Sequence, residues 1–323
     1  MCTAITYKTA DHYFGRTLDL ECSYGEMVTV TPRRFVFSFR HTKRISNHYA
    51  IIGMATIKDN YPLYYEAANE YGLAMAALNF PQNAQYFPLT DSKDNIAPFE
   101  FIPWILSQSR NLTQVRKLLV NLNLCDTPFS DKLPLSPLHW MITDQKEAIT
   151  VECTAQGLHI YENHIGVLTN NPSFDYHCTH LCDYLNLSAH SPQNQFGHLH
   201  LSKYSRGMGA IGLPGDFSSA SRFVRAAFVK EFSISGTSEN ESVCQFFHIL
   251  DTVQQPCGCV RLNDDRNVVS VYTSCINANK GIYYYKTYSN PHISAIDMHR
   301  CDLDQTKLYT YQLINNCHIH QQN

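Results

Sequence analysis

The order in which strand-like and helix-like segments follow one another constrains this fold more than any other feature of the sequence. Alternating apolar and polar residues predict five strands in the first third of the chain, and two helices follow. Strands then return, two more helices follow, and three strands close the chain. Ser238 and Glu241 have the spacing of a capping box before the last helix. The predicted strands are 2–7, 13–19, 27–31, 49–57, 73–79, 139–143, 148–154, 158–161, 165–169, 268–277, 281–288 and 293–298, and the predicted helices are 98–107, 112–122, 219–232 and 243–253.

This order lacks the regular alternation of strand and helix that builds parallel sheets, and no break in composition divides the chain. We therefore expect one α+β domain with two sheets between helical layers. With 323 residues, the chain can bury a core without disulfides or a structural metal. The segment 189–205, rich in His, Ser, Gln and Asn, is expected to leave the body as a long loop.

Charge and hydropathy exclude several classes of function. The 25 basic and 28 acidic residues give a net charge of -3, and no basic run could follow a phosphate backbone, so we expect no nucleic-acid partner. No stretch of about 18 apolar residues occurs, so no membrane span is expected. The N-terminus lacks the basic start and apolar block of a secretory leader, which predicts a cytoplasmic protein. There the 12 cysteines should stay reduced, and most should be small buried hydrophobic residues.

Two motifs resemble functional sites, but their surroundings do not support the function. Residues 207–212 match the dinucleotide fingerprint, yet they neither leave a strand nor open a helix, and Pro214 follows, so we predict a glycine-rich turn. Residues 177–182 place four soft ligands within one helical segment, but no second ligand pair has a suitable spacing for zinc. We therefore expect neither a metal nor another cofactor.

Cys2 combines a nucleophile with a base. A residue as small as cysteine allows an aminopeptidase to remove Met1, which leaves a thiol and a free α-amine on one residue. The amine has a pKa of about 7.7–8.0 and the thiol of about 8.5, so some neutral amine is present at pH 7 to take the thiol proton. A nearby cation would increase the thiolate fraction. Alone, cysteine at this position is unremarkable, and its neighbours decide the interpretation.

The predicted first hairpin returns charged residues to the neighbourhood of Cys2. Residues 10–12 are short enough for a turn, so the second strand places Arg16 and Asp19 beside the start of the chain. In a regular strand, residues three positions apart face opposite sides of the sheet. If both side chains act at Cys2, a turn or bulge near Leu18 is required.

Several blocks of sequence, in a fixed order over nearly the whole chain, are together more specific than any single motif. They are MCT at 1–3, FGRTLD at 14–19, NEYGL at 69–73, LNFP at 78–81, LHWM at 138–141, GVLTNNP at 166–172, GLPGDF at 212–217, SRF at 221–223 and KGIYYY at 280–285. With these blocks in this order, the chain resembles the choloylglycine hydrolases. That family includes the bile salt hydrolases and the penicillin V acylases and belongs to the N-terminal nucleophile superfamily. The resemblance implies a four-layer αββα sandwich of two antiparallel sheets between helical layers, with residues 2–323 as a single domain once Met1 is removed.

The resemblance also implies the first part of a catalytic set. Cys2 is the nucleophile, and its own amine is the base. Asp19 holds that amine by a charge-assisted hydrogen bond, and Arg16 favours the thiolate electrostatically. Read singly, Arg16 could be a surface cation and Asp19 a turn residue.

Three further residues complete the set that the resemblance implies. The side-chain amide of Asn170 and the backbone N–H of Asn79 meet the developing oxyanion. Arg222 matches the remaining active-site arginine. Read singly, the two asparagines could be loop caps and Arg222 a surface cation.

The implied reaction is hydrolysis of an amide through a thioester on Cys2. Bile acids conjugated to glycine or taurine are the first choice of substrate, and penicillin V or another N-acyl amide is the alternative. Asn79 favours bile salts, because penicillin V acylases often carry Tyr there, whereas Lys58 stands where an apolar residue is expected from relatives. A steroid needs an apolar wall. We expect it from loops 18–24, 58–65 and 129–138, with candidates Leu18, Leu20, Tyr24, Phe129 and Leu133.

The family also implies assembly. Its members form homotetramers in which a long mid-chain loop reaches a neighbouring subunit, and the segment 189–205 is our candidate for that loop. A non-enzymatic alternative is a protein that binds bile salts, or a metal through its His and Cys clusters.

Overall fold

The computed structural model describes residues 1–323. Short 3-10 helices at Pro98–Glu100, Cys182–Tyr184, Met208–Ala210 and Met298–Arg300 accompany the regular elements. The strands are β1 (Cys2–Lys8), β2 (His12–Leu20), β3 (Met27–Thr31), β4 (Ile51–Lys58), β5 (Tyr61–Asn69), β6 (Ala74–Asn79), β7 (Asp94–Ile96), β8 (Leu122–Leu124), β9 (Leu138–Thr143), β10 (Ala148–Thr154), β11 (Gly157–Glu162), β12 (Val167–Leu168), β13 (Val269–Asn277), β14 (Ile282–Thr287), β15 (Ser294–Asp297) and β16 (Tyr309–Gln312). The α-helices are α1 (Phe101–Gln108), α2 (Leu112–Leu119), α3 (Phe174–Leu181), α4 (Ser219–Phe232) and α5 (Glu239–Asp251).

Two antiparallel sheets form the centre of the fold. The first has six strands in the order β12-β1-β2-β13-β14-β15, and the second has eight in the order β11-β10-β9-β6-β5-β4-β3-β16. The short strands β7 and β8 form a separate parallel pair. Every pairing within the two large sheets is antiparallel, so the first sheet presents the start of β1 beside the end of β2.

Helices cover the outer face of each sheet. The helices α4 and α5 pack on β1 and β13 of the first sheet, with α3 beside α4. The helix α1 packs on β5 and β6 of the second sheet. One apolar core lies between the two sheets and continues beneath α4 and α5, and a second core lies between the second sheet and the helices α1 and α2. This succession of helix, sheet, sheet and helix confirms the predicted αββα sandwich.

The predicted elements are all present, with ends displaced by up to four residues. The prediction of a loop over 58–65 is wrong, because β4 and β5 form a hairpin through a two-residue turn at Asp59 and Asn60. Both turn residues have positive φ, 50° and 58°, as the tightest hairpins require. Pro62, a residue that disfavours a strand, concealed the start of β5. The elements β7, β8 and β16 were not predicted either, and α3 contains most of the helical segment expected at 177–182.

Several local expectations are confirmed. The segment 189–205 has no regular structure and is almost wholly exposed. Residues 207–212 form a tight turn with positive φ at Gly207 (77°) and Gly212 (99°). Ser238 and Glu241 form a capping box at the start of α5. No helix has both the length and the apolar character needed to cross a bilayer.

The cysteines differ from expectation in one respect. All are free thiols, but only Cys2, Cys125, Cys153 and Cys275 are buried, so the expectation of mostly buried cysteines is wrong. Six are exposed. Sequence alone does not distinguish a buried cysteine from one on the surface of a loop or helix.

Candidate active site

Cys2 is the first residue of β1 and lies at the end of an interior strand of the six-stranded sheet. β1 runs between β12 and β2, and Cys2 pairs with Leu18. Only 2% of Cys2 is exposed. Alternation along β1 directs the side chain of Cys2 toward the second sheet and that of Thr3 toward α4, where Thr3 meets Arg222. The thiol is therefore enclosed by both sheets at their edge.

Met1 continues this ladder by one residue in the unprocessed chain. Its ammonium group donates to the carbonyl oxygen of Asp19 at 2.6 Å. The N–H of Asp19 donates in return to the carbonyl oxygen of Met1 at 2.9 Å. Removal of Met1 would therefore free both backbone groups of Asp19 next to the amino terminus of Cys2.

Asn170 follows β12 and joins three parts of the site. Its Oδ1 accepts a hydrogen bond from the backbone N–H of Cys2 at 2.7 Å and another from Nη2 of Arg222 at 2.9 Å. Its Nδ2 donates to the carbonyl oxygen of Asn79 at 2.7 Å. Because an amide nitrogen carries two hydrogens, one donor of Asn170 remains beyond this bond.

Asn79 ends β6 with its backbone turned toward the same region. The N–H of Phe80 donates to the carbonyl of Pro137 at 2.8 Å, on the β9 side of the strand. Since hydrogen-bonding directions alternate along a strand, the N–H and C=O of Asn79 point to the opposite side. On that side the carbonyl of Ala77 accepts from Arg16. The N–H of Asn79 therefore faces the cluster around Cys2.

Arg222 lies in the first turn of α4, and its guanidinium is wholly buried. It donates to the carbonyl oxygen of Cys2 at 2.5 Å and to Oγ1 of Thr3 at 2.7 Å, in addition to Asn170. Burial lowers the pKa of Arg222, and the negative charge of Asp19 opposes that effect. The side chain thus places a positive charge behind the main chain of Cys2.

Arg16 lies on β2 and extends between the two sheets, where it is 1% exposed. Its Nε lies 3.8 Å from Oε2 of Glu66 on β5. Burial alone would lower the pKa of Arg16, but the charges of Cys2, Tyr272 and Glu66 outweigh burial and raise it. Its hydrogen bonds go to the backbone carbonyls of Thr17, Tyr65 and Ala77.

The Asp19 carboxylate is also fully buried, and it is held by hydroxyl groups. Oγ1 of Thr17 donates to it at 3.0 Å and Oγ of Ser270 at 2.5 Å. Burial raises the pKa of Asp19, while Arg222 and the N-terminal charge of Met1 act in the opposite direction. In the Met1-bearing chain the acceptor for the Cys2 N–H is Asn170 and not this carboxylate.

Arg16 and Asp19 leave β2 on opposite faces, as their spacing predicts. Arg16 contacts the second sheet, whereas Asp19 faces α4. The strand β2 stays regular through Leu18, and the irregularity lies on the neighbouring strand β13, between Ser270 and Tyr272. The expected bulge therefore occurs beside Leu18 but on β13.

Two buried histidines, which the sequence did not assign to the site, hold the backbone carbonyls of Thr169 and Asn170. Nε2 of His139 lies 2.9 Å from the carbonyl of Thr169, and Nε2 of His177 lies 2.8 Å from the carbonyl of Asn170, so each nitrogen donates. The ring of Phe80 stacks on His139 with centroids 4.3 Å apart. Burial lowers the pKa of His177 to about 4, so this imidazole is neutral near pH 7.

The four soft side chains of 177–182, from which we expected no metal site, contact other groups. His177 points at the Asn170 carbonyl, and Sγ of Cys182 lies 3.6 Å from the carbonyl of Cys178. No group of three or more His, Cys, Asp or Glu side chains comes together to hold an ion.

The candidates for the apolar wall are only partly brought together. Leu18 pairs with Cys2 across β1 and β2, and Leu20 packs against the apolar core between the two sheets. Tyr24 is 51% exposed in the segment after β2. Phe129 packs on Phe99 with ring centroids 5.2 Å apart and lies beside Tyr61 of β5. Leu133 closes a turn with Ser130 in the same segment. The roles of all five remain predictions.

An αββα sandwich with an enclosed cysteine next to the amino terminus is the architecture of the N-terminal nucleophile hydrolases. The model of the linear amide C–N hydrolases, choloylglycine hydrolase family, matches residues 2–311. The chain belongs to this family and is an amide C–N hydrolase by that membership.

Individual relatives agree with this assignment. The chain is 49% identical to the bile salt hydrolase/transferase of Lactiplantibacillus plantarum, over 97% of each chain. It superposes with a TM-score of 0.93, at 37% identity and full coverage of both chains, on the Cys2→Ala mutant of the conjugated bile acid hydrolase from Clostridium perfringens. The penicillin V acylase from Agrobacterium tumefaciens shares the fold, with a TM-score of 0.75, 20% identity and coverage of 96% of this chain and 90% of that one.

Proposed function

We propose that this chain hydrolyses the amide bond that joins a bile acid to glycine or taurine, with Cys2 as the nucleophile. The placement of Cys2 is the observation that carries the proposal. Its thiol belongs to an enclosed residue next to the amino terminus. Asn170 and Arg222 bind the main chain of that residue, and the charge of Arg16 interacts with it. The match over 97% of the chain to a protein named bile salt hydrolase/transferase supports the substrate class.

Removal of Met1 activates the nucleophile. The backbone nitrogen of Cys2 becomes a primary amine, for which Oδ1 of Asn170 is already a hydrogen-bond acceptor at 2.7 Å. The buried charge of Asp19 stabilises the ammonium form of that amine. The neutral amine takes the thiol proton, and Arg16 stabilises the thiolate that results.

The thiolate sulfur then forms a bond to the carbonyl carbon of the substrate amide. The carbonyl oxygen becomes an oxyanion, and we assign its two donors as the N–H of Asn79 and the unused Nδ2 hydrogen of Asn170. Asn79 ends β6, and the Asn170 side chain is fixed by its hydrogen bonds to Cys2, Arg222 and Asn79, so both donors are in place before the reaction and can lower its barrier.

Collapse of the tetrahedral species breaks the C–N bond. The ammonium of Cys2 returns its proton to the leaving nitrogen, which departs as the amine of glycine or taurine. Water, with its proton taken by the Cys2 amine, then attacks the thioester and releases the bile acid and the thiol. An amine that replaces water at this last step would form a new amide, in keeping with the word transferase in the relative's name.

The preference for bile salts over penicillin V rests on residues near Cys2. Asn79 is the residue that bile salt hydrolases commonly carry at this place in the family's pattern, and Leu18 supplies an apolar surface directly opposite Cys2. Leu20, Tyr24, Phe129 and Leu133 are our further candidates for contact with the steroid. Penicillin V remains the second substrate to test.

We also propose that the protein assembles as a homotetramer through the loop 189–205. The loop exposes Phe196 (68%), Leu199 (58%), Leu201 (56%) and Tyr204 (83%), more apolar surface than a free loop usually carries. Deleting the loop tip should yield smaller particles in sedimentation velocity. A deletion variant that sediments like the parent would reject this role.

A reducing compartment suits the proposed chemistry, because Cys2 and the six exposed cysteines are all free thiols. We therefore propose a cytoplasmic location. Cell fractionation with an antibody against the chain tests it, and recovery of the chain in the medium would contradict it.

The central test measures taurine and glycine released from conjugated bile acids by purified protein. Intact mass spectrometry should show that the active protein has lost Met1. The Cys2→Ser variant should lose essentially all activity, whereas Cys244→Ser, at an exposed cysteine on α5, should keep it. Undiminished turnover by Cys2→Ser would refute the nucleophile.

The same material distinguishes the non-enzymatic alternative. A protein that only binds bile salts or a metal should bind them equally well with Met1 retained. An enzyme that needs the free amine of Cys2 should gain turnover only when Met1 is removed.

A further inference from the structure

Glu66 is a buried carboxylate that the proposed chemistry does not use. It lies on β5 between the two sheets and has no exposed surface. Tyr272 donates to its Oε2 at 2.8 Å and Tyr283 donates to its Oε1 at 2.5 Å. Arg16 lies 3.8 Å from Oε2. Burial raises the pKa of Glu66, while the charge of Arg16 and the two tyrosine hydroxyls act in the opposite direction and favour the charged carboxylate.

Glu66 and Cys2 interact with the same cation. The Arg16 guanidinium is surrounded by Glu66 and three backbone carbonyls, and the charge of Cys2 also acts on it. Carbonyls fix the direction of the guanidinium but do not neutralise it. Glu66 is the carboxylate in ion-pair contact with it, so Glu66 determines how much of the Arg16 charge is left to act on the thiol.

The strand geometry makes this arrangement rigid. Tyr272 follows the irregularity on β13, and Tyr283 lies on the adjacent strand β14, so two strands of the first sheet hold a side chain of the second. Other polar or titratable groups near this ion pair are Ser274 on β13, Asp19 on β2 and Cys2 on β1. Arg16 is the cation in ion-pair contact with Glu66.

We propose that Glu66 is a positioning residue that fixes Arg16 through an ion pair and limits the positive charge that Arg16 presents to the Cys2 thiol. The inference rests on the proposed role of Cys2. It adds a second carboxylate, on the opposite sheet from Asp19, to the residues that control the nucleophile. Glu66 works through Arg16, and the tyrosines work through Glu66.

The charge part of the proposal is tested by the titration of Cys2. Alkylation of mature protein by iodoacetamide is followed at the N-terminal peptide by mass spectrometry, because the exposed cysteines also react. The Glu66→Gln variant keeps the shape but removes the charge, so the alkylation midpoint of Cys2 should fall by about half a pH unit or more, since one close charge shifts a pKa by about 1 unit or more. An unchanged or higher midpoint would overturn the proposal.

Two variants separate charge from shape. Glu66→Asp keeps the charge, so its midpoint should lie closer to that of the parent than to that of Glu66→Gln; equal shifts in both variants would overturn the charge role. Glu100→Gln is the matched control, because Glu100 is also fully buried but accepts hydrogen bonds from Arg40 and Ala97 in the outer layer. It should leave the Cys2 midpoint unchanged.

The positioning part is tested by Tyr283→Phe, which also serves if Glu66→Gln does not fold. This change removes one donor from Glu66 but leaves both charges. We expect kcat for bile salt hydrolysis to fall about fivefold or more with KM and the alkylation midpoint unchanged, and an unchanged kcat would overturn the positioning role. Absence of hydrolysis by the parent would refute the proposed function, whereas the alkylation profiles would still decide the charge role of Glu66.

Discussion

Replacement of Asn170 by alanine is the most informative perturbation of the site. The side chain forms hydrogen bonds with the Cys2 nitrogen, Arg222 and the carbonyl of Asn79, at 2.7, 2.9 and 2.7 Å. We expect kcat/KM to fall at least 100-fold, because loss of one oxyanion donor costs about 100-fold to 1000-fold and the amine also loses its acceptor.

The same variant should lose stability by a calculable amount. Three groups lose a partner, and an unsatisfied buried polar group costs about 1–3 kcal/mol. Asn170 is 6% exposed at a sheet edge, so water can enter the space left by the side chain, and we expect about 2–4 kcal/mol in total. The loss should appear in urea denaturation, while circular dichroism at zero urea stays native.

Asn171→Ala is the matched control. Asn171 is the next residue, and its Nδ2 donates to the carbonyl of Pro81 outside the cluster around Cys2. Its kcat/KM for a taurine-conjugated bile acid should stay within about threefold of the parent. The reasoning fails if Asn170→Ala keeps more than a tenth of the parent's kcat/KM, or if both variants lose the same amount.

Two further predictions concern stability. Burial lowers the pKa of His12 to about 4, so its neutral form stabilises the fold above pH 6.5 and that contribution declines as pH falls toward 4. Between pH 7 and pH 5, the unfolding free energy of His12→Gln should therefore fall by about 2 kcal/mol less than that of the parent, measured by urea denaturation at each pH. Equal falls in the two proteins would contradict this. A methyl group at Gly15 would overlap the backbone of Ser274 on β13, so Gly15→Ala should cost more than about 3 kcal/mol in thermal unfolding, whereas Gly215→Ala, in open space, should be neutral.

Sequence reasoning found the parts of the site that lie close together in the chain. A short turn between two alternating strands is enough to place Arg16 and Asp19 near Cys2, because the pairing of a hairpin follows from its turn. Their opposite faces also follow from alternation. Asn79, Asn170 and Arg222 came from the resemblance, since no local rule brings β6, the end of β12 and α4 to one point.

The parts that were missed depend on contacts between layers. Glu66 lies in β5, a strand that was not predicted because Pro62 stands near its start. The partners of Glu66, Tyr272 and Tyr283, lie more than 200 positions further along the chain. His139 and His177 read as ordinary apolar-strand and helix residues, or as metal ligands. Their role in holding two carbonyls depends on the packing of the second sheet and α3 beside Asn170, and no local sequence pattern indicates that packing.

The pairing of Met1 with Asp19 has a consequence for when the protein matures. A peptidase must draw the first residues of its substrate into a cleft of its own, but here those residues already form the interior of a sheet. We therefore expect the proposed excision of Met1 to take place during synthesis at the ribosome, before the first hairpin closes. Molecules that fold before this step would keep Met1 and would be permanently inactive.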